Sequence, residues 1–217
     1  MDKEKSLKDA LEKVNDGMTV MIGGFLGVGT PEAIVDGLVE KGVKDLTVIA
    51  NDTAFPDKGI GKLIIKKQIK KLIASHIGTN PETGRQMNEG ETEVELVPQG
   101  TLAESIRAGG AGLGGFLTPV GIGTIVEQGK KKLEVNGKEY LLELPLKADV
   151  ALLKAKKADR AGNLIYSKSA RNFNPMMATA ADFVIAEVDE IVEIGEIDPD
   201  AVMTPGIYVD MIVRGDK

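Results

Sequence analysis

Met18-Thr19-Val20-Met21-Ile22-Gly23-Gly24-Phe25-Leu26-Gly27-Val28-Gly29-Thr30-Pro31-Glu32 is the stretch on which the fold turns. Met18 to Ile22 is a short apolar run with turn-forming residues on both sides, the pattern of a strand buried on two faces. Gly23 to Gly29 is a glycine-rich loop. Thr30-Pro31-Glu32 reads as a helix start, with a hydroxyl to cap, a proline at the first helical position and an acid in the first turn. That helix is expected to run to about Lys41 and to stop at Gly42 in the left-handed conformation. Leu46 to Ala50 reads as a second buried strand. Strand, loop, helix and strand within about 30 residues form a βαβ unit, whose two strands are parallel.

Reading outward, Leu7, Leu11 and Val14 recur at helical spacing and predict a helix over 6–14, ended by Asp16-Gly17. The lysine-rich stretch Lys62 to Lys71 reads as a helix with a solvated face, followed by a third strand over Lys71 to Ala74. Thr92 to Val97 alternates and is extended. Thr101-Leu102-Ala103-Glu104 has the form of a capping box that opens a helix ending at Gly109-Gly110. Lys132 to Leu144 predicts a hairpin turning at Asn136-Gly137. Asp149 to Leu153, Asn163 to Tyr166 and Phe183 to Val188 are further strands. Residues 1–217 are thus read as one α/β domain: an open, mostly parallel sheet with flanking helices, made mixed by the hairpin.

Composition narrows the chemistry. With 27 basic and 33 acidic residues the net charge is −6, which disfavours a general nucleic-acid binder. Absence of cysteine excludes disulfides, thiolate metal sites and a Cys nucleophile, and the single histidine, His76, excludes a multi-His metal site. The charged N-terminus has no apolar signal core. The longest uncharged run, Ala108 to Val126, is rich in glycine and broken by Pro119, a poor membrane span. A cytoplasmic protein with no membrane partner is expected.

Five segments could carry chemistry. Gly23, Gly24, Phe25, Leu26, Gly27, Val28 and Gly29 either cradle a phosphate or carboxylate ahead of a helix N-terminus, or simply make a tight turn. The third glycine of a dinucleotide fingerprint is missing, and no Gly-Lys-Ser/Thr follows to make a Walker loop. Asn51-Asp52 lies at the carboxyl end of a strand, where open α/β sheets bind ligands; Asn51 either donates to an oxyanion or is an ordinary turn residue. His76 has no partner constellation. Gln99 is free to face a ligand, whereas Glu104 is taken as the capping acid. Gly109 to Gly123 is either a close-approach binding loop or a subunit contact.

Asp16-Gly17-x-x-Val20-Met21-Ile22-Gly23-Gly24-Phe25-x-x-x-Gly29-x-Pro31 resembles the signature of family I coenzyme A transferases. Pro98-Gln99-Gly100-Thr101-Leu102-Ala103-Glu104 with Arg107-Ala108-Gly109-Gly110-Ala111-Gly112 resembles the second block of that family, and Lys168-Ser169-Ala170-Arg171-Asn172-Phe173-Asn174 a third. The likeness runs from about residue 6 to residue 210. Ala50 to Phe55 and Ser75 to Gly84 resemble in particular the α subunits of acetate and butyrate–acetoacetate transferases.

The resemblance implies a fold shared with small sugar-phosphate isomerases and an activity that moves CoA from an acyl-CoA to a short-chain carboxylate. It implies a ping-pong reaction through a glutamyl-CoA thioester, without metal or other cofactor, CoA being substrate and carrier. That family's glutamate sits in a Ser-Glu-Asn-Gly context on a β subunit. The tetrapeptide does not occur here, Asn88-Glu89-Gly90 being the nearest fragment. The implied protein is therefore half of an α2β2 enzyme, supplying Asn51 as oxyanion donor, Gln99 near the reacting carbonyl, and residues 23–29 as CoA contact. The rival readings are a stand-alone isomerase or hydrolase on the same fold, and a non-catalytic CoA- or anion-binding subunit.

Overall fold

A computed structural model describes residues 2–215. In chain order the elements are α1 (Leu7–Leu11), β1 (Thr19–Ile22), α2 (Glu32–Lys41), β2 (Leu46–Ile49), α3 (Gly61–Ile65), β3 (Ile69–Ala74), α4 (Pro81–Asn88), β4 (Glu93–Leu96) and α5 (Gln99–Gly110). There follow β5 (Phe116–Thr118), β6 (Lys132–Val135), β7 (Lys138–Glu143), β8 (Ala148–Asp159), β9 (Leu164–Ile165), α6 (Asn174–Met177), β10 (Ala181–Val192) and β11 (Met211–Arg214). The main sheet has the order β11-β10-β8-β1-β2-β3-β4, with every neighbouring pair parallel, and β9 lies antiparallel beside β8.

Strands buried on both faces need apolar side chains at every position, and the register shows where each goes. Val20 and Ile22 of β1, Leu46 and Val48 of β2, and Val150 and Leu152 of β8 join one core with Ile34, Val35 and Leu38 of α2. Their neighbours Met21, Ile49, Ala151 and Leu153 face the other core with Leu102 and Ile106 of α5 and Met177 of α6. Leu102 has no solvent exposure. Leu102→Ala is expected to destabilise the fold by about 2–5 kcal/mol through lost burial and a residual cavity. Urea unfolding should show a lower midpoint with an unchanged slope.

The order of the strands determines where a ligand can sit. From β1 the chain builds outward to β4 on one side and then returns to β8 on the other. The reversal lies between β1 and β8, and beyond the carboxyl ends at such a switch the flanking loops part and leave a crevice. Gly23 to Gly29 leaves β1 at that point.

Several expected elements differ. The hairpin forms, turning at Asn136 and Gly137 with φ of 53° and 73°, but it pairs with β5 in a separate antiparallel sheet, β5-β7-β6. The exposed Lys132, Glu134 and Val135 of β6 leave it little apolar area to bury on the main sheet. No capping box forms at Thr101 and Glu104: the N-cap of α5 is Pro98, three residues earlier, and Glu104 pairs with Arg107 on its surface. Thr30 makes no cap either; Pro31 holds the N-cap position without a side-chain bond. Capping boxes and caps occur instead at Ser6–Asp9 on α1 and at Asn80 on α4.

The lysine-rich stretch is split. α3 ends at Ile65, Lys67 takes a positive φ of 52°, and Gln68 Nε2 donates to Leu38 O and Val43 O, anchoring the start of β3. β8 and β10 are twelve residues each, longer than the apolar runs suggest. Their charged extensions are tolerable because Lys154 lies opposite Glu187 and Lys157 opposite Glu190, and both pairs close.

Candidate functional site

Three consecutive strands deliver polar side chains to the same edge of the sheet. Asn51 follows β2, Ser75 follows β3, and Gln99 opens α5 just past β4. The parallel ladder continues beyond the strands: Ser75 N–H donates to Asn51 O at 2.9 Å, and Val97 N–H to Ala74 O at 3.0 Å. Gln99 Nε2 donates to Asn51 Oδ1 at 2.9 Å, and Ser75 Oγ lies 3.1 Å from the same oxygen and 2.7 Å from Asn51 O. Asn51 is only 3% exposed. Its amide is thus held by the oxygen, and its Nδ2 donates to no group among the described residues. A buried side-chain donor of fixed orientation with a free N–H is what an oxyanion-binding site requires. The two residues expected near a reacting carbonyl, 48 positions apart in sequence, are in contact.

Asp52 has a different job from its neighbour. Its buried carboxylate accepts from Ala54 N at 2.6 Å and, across the site, from Leu26 N at 3.0 Å. Leu26 (φ 50°) and Gly27 (φ 81°) are the central residues of a tight turn closed by Phe25 N–H to Val28 O at 3.0 Å and Val28 N–H to Phe25 O at 2.9 Å. Two positive φ values in succession suit glycine and strain leucine. The Asp52 bond offsets part of that strain.

An open anion cradle is not what the loop forms. The N–H groups of Gly23, Gly24, Phe25, Leu26 and Val28 already donate to Leu152 O, Asn172 Oδ1, Val28 O, Asp52 and Phe25 O. Those of Gly27 and Gly29 have no partner among the described residues. The first turn of α2 is also occupied: buried Glu187 accepts from Ile34 N at 3.1 Å and from Lys154 Nζ at 3.0 Å. A cavity of about 10 Å³ beneath the loop, lined by Ile22, Ala50 and Asp52 among others, has room for at most one water. Outward, the loop shows Phe25 and Val28, 42% and 49% exposed, with Phe55 on the same edge of the sheet at 37%. The surface offered to a ligand is apolar with a few free amides.

Among the remaining candidates, His76 adjoins this site through its backbone alone, bridging to Asp52 and accepting from Thr53 N at 3.2 Å. His76 is exposed and its ring makes no hydrogen bond among the described residues. Gly109 is a packing residue: a Cβ there would lie 1.9 Å from Leu146 O, and Phe116 to Thr118 within the same stretch pair with β7. A cleft of about 540 Å³ between Val97, Ser105, Lys130 and Leu142 contains none of the residues singled out from the sequence. Sequence reading names Asp52 and Asn172 but misses their role, which is to hold the glycine loop. The signal available for Asn172 was its place in the third block.

The model of the protein family described as Coenzyme A transferase matches residues 4–215. The acetate CoA-transferase subunit alpha of Escherichia coli (strain K12) is 60% identical over 208 residues, 96% of this chain and 94% of that protein. The acetoacetyl-CoA:acetate/butyrate CoA transferase alpha subunit of Clostridium acetobutylicum is 56% identical over 199 residues, 92% of this chain and 91% of that protein. In structure, the acyl-CoA transferase YdiF of Escherichia coli O157:H7, solved as a thioester complex with CoA, superposes with a TM-score of 0.89 at 24% identity. That match covers 99% of this chain and 47% of the other, so this chain spans about half the length of that transferase. At that identity the structural match establishes the fold.

Proposed function

This chain belongs to the coenzyme A transferase family, and from that premise we propose that it is the α subunit of a short-chain acyl-CoA:carboxylate CoA-transferase of the acetate, acetoacetate and butyrate class. The observation that carries the proposal is the Asn51 amide, oriented by Gln99 and Ser75 with its Nδ2 free. The high identity to two α subunits that carry this activity in their names supports the substrate class.

In the proposed reaction a glutamate carboxylate of a β subunit attacks the acyl-CoA carbonyl. It needs no general base, since a carboxyl group is ionised near neutral pH. The carbonyl π pair moves to oxygen, and that oxyanion accepts a hydrogen bond from Asn51 Nδ2. Collapse expels CoA thiolate and leaves a mixed anhydride. The thiolate then attacks the glutamyl carbonyl, releasing the first carboxylate and forming the glutamyl-CoA thioester. An incoming carboxylate runs the same steps in reverse. One thioester is broken and one is formed, so no nucleotide is consumed. The acyl carbonyl passes through a tetrahedral oxyanion once in each half-reaction, so a donor fixed at that position serves both.

The glycine loop is assigned to the uncharged pantetheine arm of CoA rather than to its phosphates. Five of its seven amides are already paired, and Phe25 and Val28 present apolar surface. An α2β2 assembly, with the partner's residues completing the pocket, is part of the same proposal.

The test is CoA transfer from acetoacetyl-CoA to acetate by this chain alone, by the β candidate alone, and by both mixed. Turnover is expected only in the mixture, with the glutamyl thioester on the β chain revealed by its cleavage: hydroxylamine leaves a hydroxamate and borohydride an alcohol at the glutamate, each releasing CoA thiol. Transfer by this chain alone would place the nucleophile here and overturn the half-site reading. A mixture that assembles and binds CoA yet transfers nothing would favour a non-catalytic CoA-binding subunit.

A further inference from the structure

The third block, Lys168 to Asn174, lies on the far side of the sheet's switch point from β1, between β9 and β10. It has no bond to Asn51, Ser75 or Gln99 among the described residues. Its asparagines reach instead across the crevice to the glycine loop. Asn172 Oδ1 accepts from Gly24 N at 3.2 Å, and Asn172 Nδ2 donates to Val28 O at 2.9 Å. Asn174 has no solvent exposure; its Nδ2 donates to Gly29 O at 3.0 Å and Ala170 O at 2.9 Å, while its Oδ1 accepts from Lys154 N of β8 at 3.0 Å.

Both ends of the loop therefore hang on one short segment, with Asp52 holding the middle from the opposite side. The approach is close enough to dictate sequence. A Cβ on Gly23 would lie 1.9 Å from Asn174 Oδ1, and one on Gly29 would lie 2.6 Å from Ala170 O and 2.8 Å from Asn172 Nδ2. These two glycines are required by the block that presses on them, independently of any ligand.

We propose that Asn172 and Asn174 are positioning residues for CoA: they hold the loop's backbone so that Phe25, Val28 and the free amides of Gly27 and Gly29 stand at a fixed height over the switch-point crevice. This rests on the assignment of the loop to CoA contact. The physical reason is the loop's own poverty of restraint. A glycine-rich segment loses more conformational entropy on ordering than any other. If the brace orders it in the free protein, CoA does not have to, and affinity rises accordingly.

The experiment uses the assembled α–β enzyme. Asn172→Ala is the primary variant because Asn172 is only partly buried, whereas Asn174 has no solvent exposure and Asn174→Ala would leave three partly buried partners without a bond. Equilibrium binding of free CoA is measured by calorimetry, alongside deuterium exchange of the 23–30 segment and the thermal midpoint. The expected result is CoA affinity weaker by about tenfold, the order of two lost neutral hydrogen bonds. Faster exchange confined to the loop should accompany it. An Asn172→Ala enzyme with loosened loop amides and unchanged CoA affinity would overturn the proposal, because the brace would then be structural only. Should Asn172→Ala not assemble, Asn172→Ser, which keeps a short acceptor, is read by the same two measurements. Phe25→Ala, which leaves the brace intact, separates the two assumptions. If it weakens CoA binding while Asn172→Ala does not, the loop contacts CoA and the brace fails. If neither matters, the loop assignment fails and takes the brace with it.

Discussion

Asn51→Ala in the assembled enzyme is expected to lower kcat by about 100- to 1000-fold, the measured order of effect for removing one preorganised oxyanion donor. The size follows from the geometry. Asn51 Oδ1 is engaged by Gln99 and faces Ser75, so the side chain cannot rotate its Nδ2 away without breaking contacts. Little reorganisation is left to the moment of reaction, and the donor's full strength is available to the developing charge. The effect should fall on kcat and on kcat/KM for acyl-CoA together, since the oxyanion exists only along the reaction path. Asn51→Asp retains the shape and replaces the donor with an oxygen that repels the oxyanion, so it should be at least as slow. The checks are steady-state kinetics of both half-reactions, with assembly and thermal midpoint followed in parallel. Wild-type turnover from a correctly assembled Asn51→Ala enzyme would remove the residue from the mechanism.

Gly23→Ala should cost about 2–5 kcal/mol of folding stability, an unusual penalty for adding one methyl group. Overpacking a filled site costs about 1–3 kcal/mol. Here the added carbon would stand 1.9 Å from Asn174 Oδ1. Asn174 must move, and its partly buried partners, which water can reach in part, together cost roughly another 1–2 kcal/mol, well below the ~1–3 kcal/mol for each fully buried group. Lys154 N, Gly29 O and Ala170 O are those partners. Denaturant unfolding of the purified chain measures the loss. A companion Gly17→Ala change meets no atom within 4 Å, although its φ of 77° still carries a backbone penalty. Gly23→Ala is expected to be the more damaging of the two even though Gly23 lacks a positive φ, because its constraint is contact and not conformation.

Much of the architecture is legible from periodicity because buried parallel strands admit only apolar residues. β1, β2 and the inner part of β8 appear as uninterrupted runs, and Asn136-Gly137 marks its hairpin by the dihedrals it permits. Misreadings fall where local chemistry has more than one outlet. Thr30 and Thr101 carry hydroxyls suited to capping, yet Thr30 packs against Gly24 and Thr101 lies inside α5, and neither caps a helix. The ends of β8 and β10 look like surface chain because their charges are neutralised only by each other. α4 is too polar to stand out by apolar spacing, although Asn80-Pro81-Glu82 carries the same kind of start signal as Thr30-Pro31-Glu32.

For the site, the blocks identify the participants without their connections. That Asn51 and Gln99 belong near the chemistry comes from resemblance of the segments that hold them; that one orients the other is a fact of strand order, since β2, β3 and β4 are neighbours in the sheet and end at one edge. By itself the sequence determined the βαβ start, the two-faced burial of the strands, the missing nucleophile tetrapeptide and the family. Only the tertiary structure decided that the glycine loop's amides are mostly spent, that Glu187 occupies the first turn of α2, and that Asn172 and Asn174 hold the loop from 144 to 148 residues away in sequence. The physical reason is range: periodicity and turn chemistry act over a few neighbouring residues, whereas a donor's partner is set by which strand lies beside which.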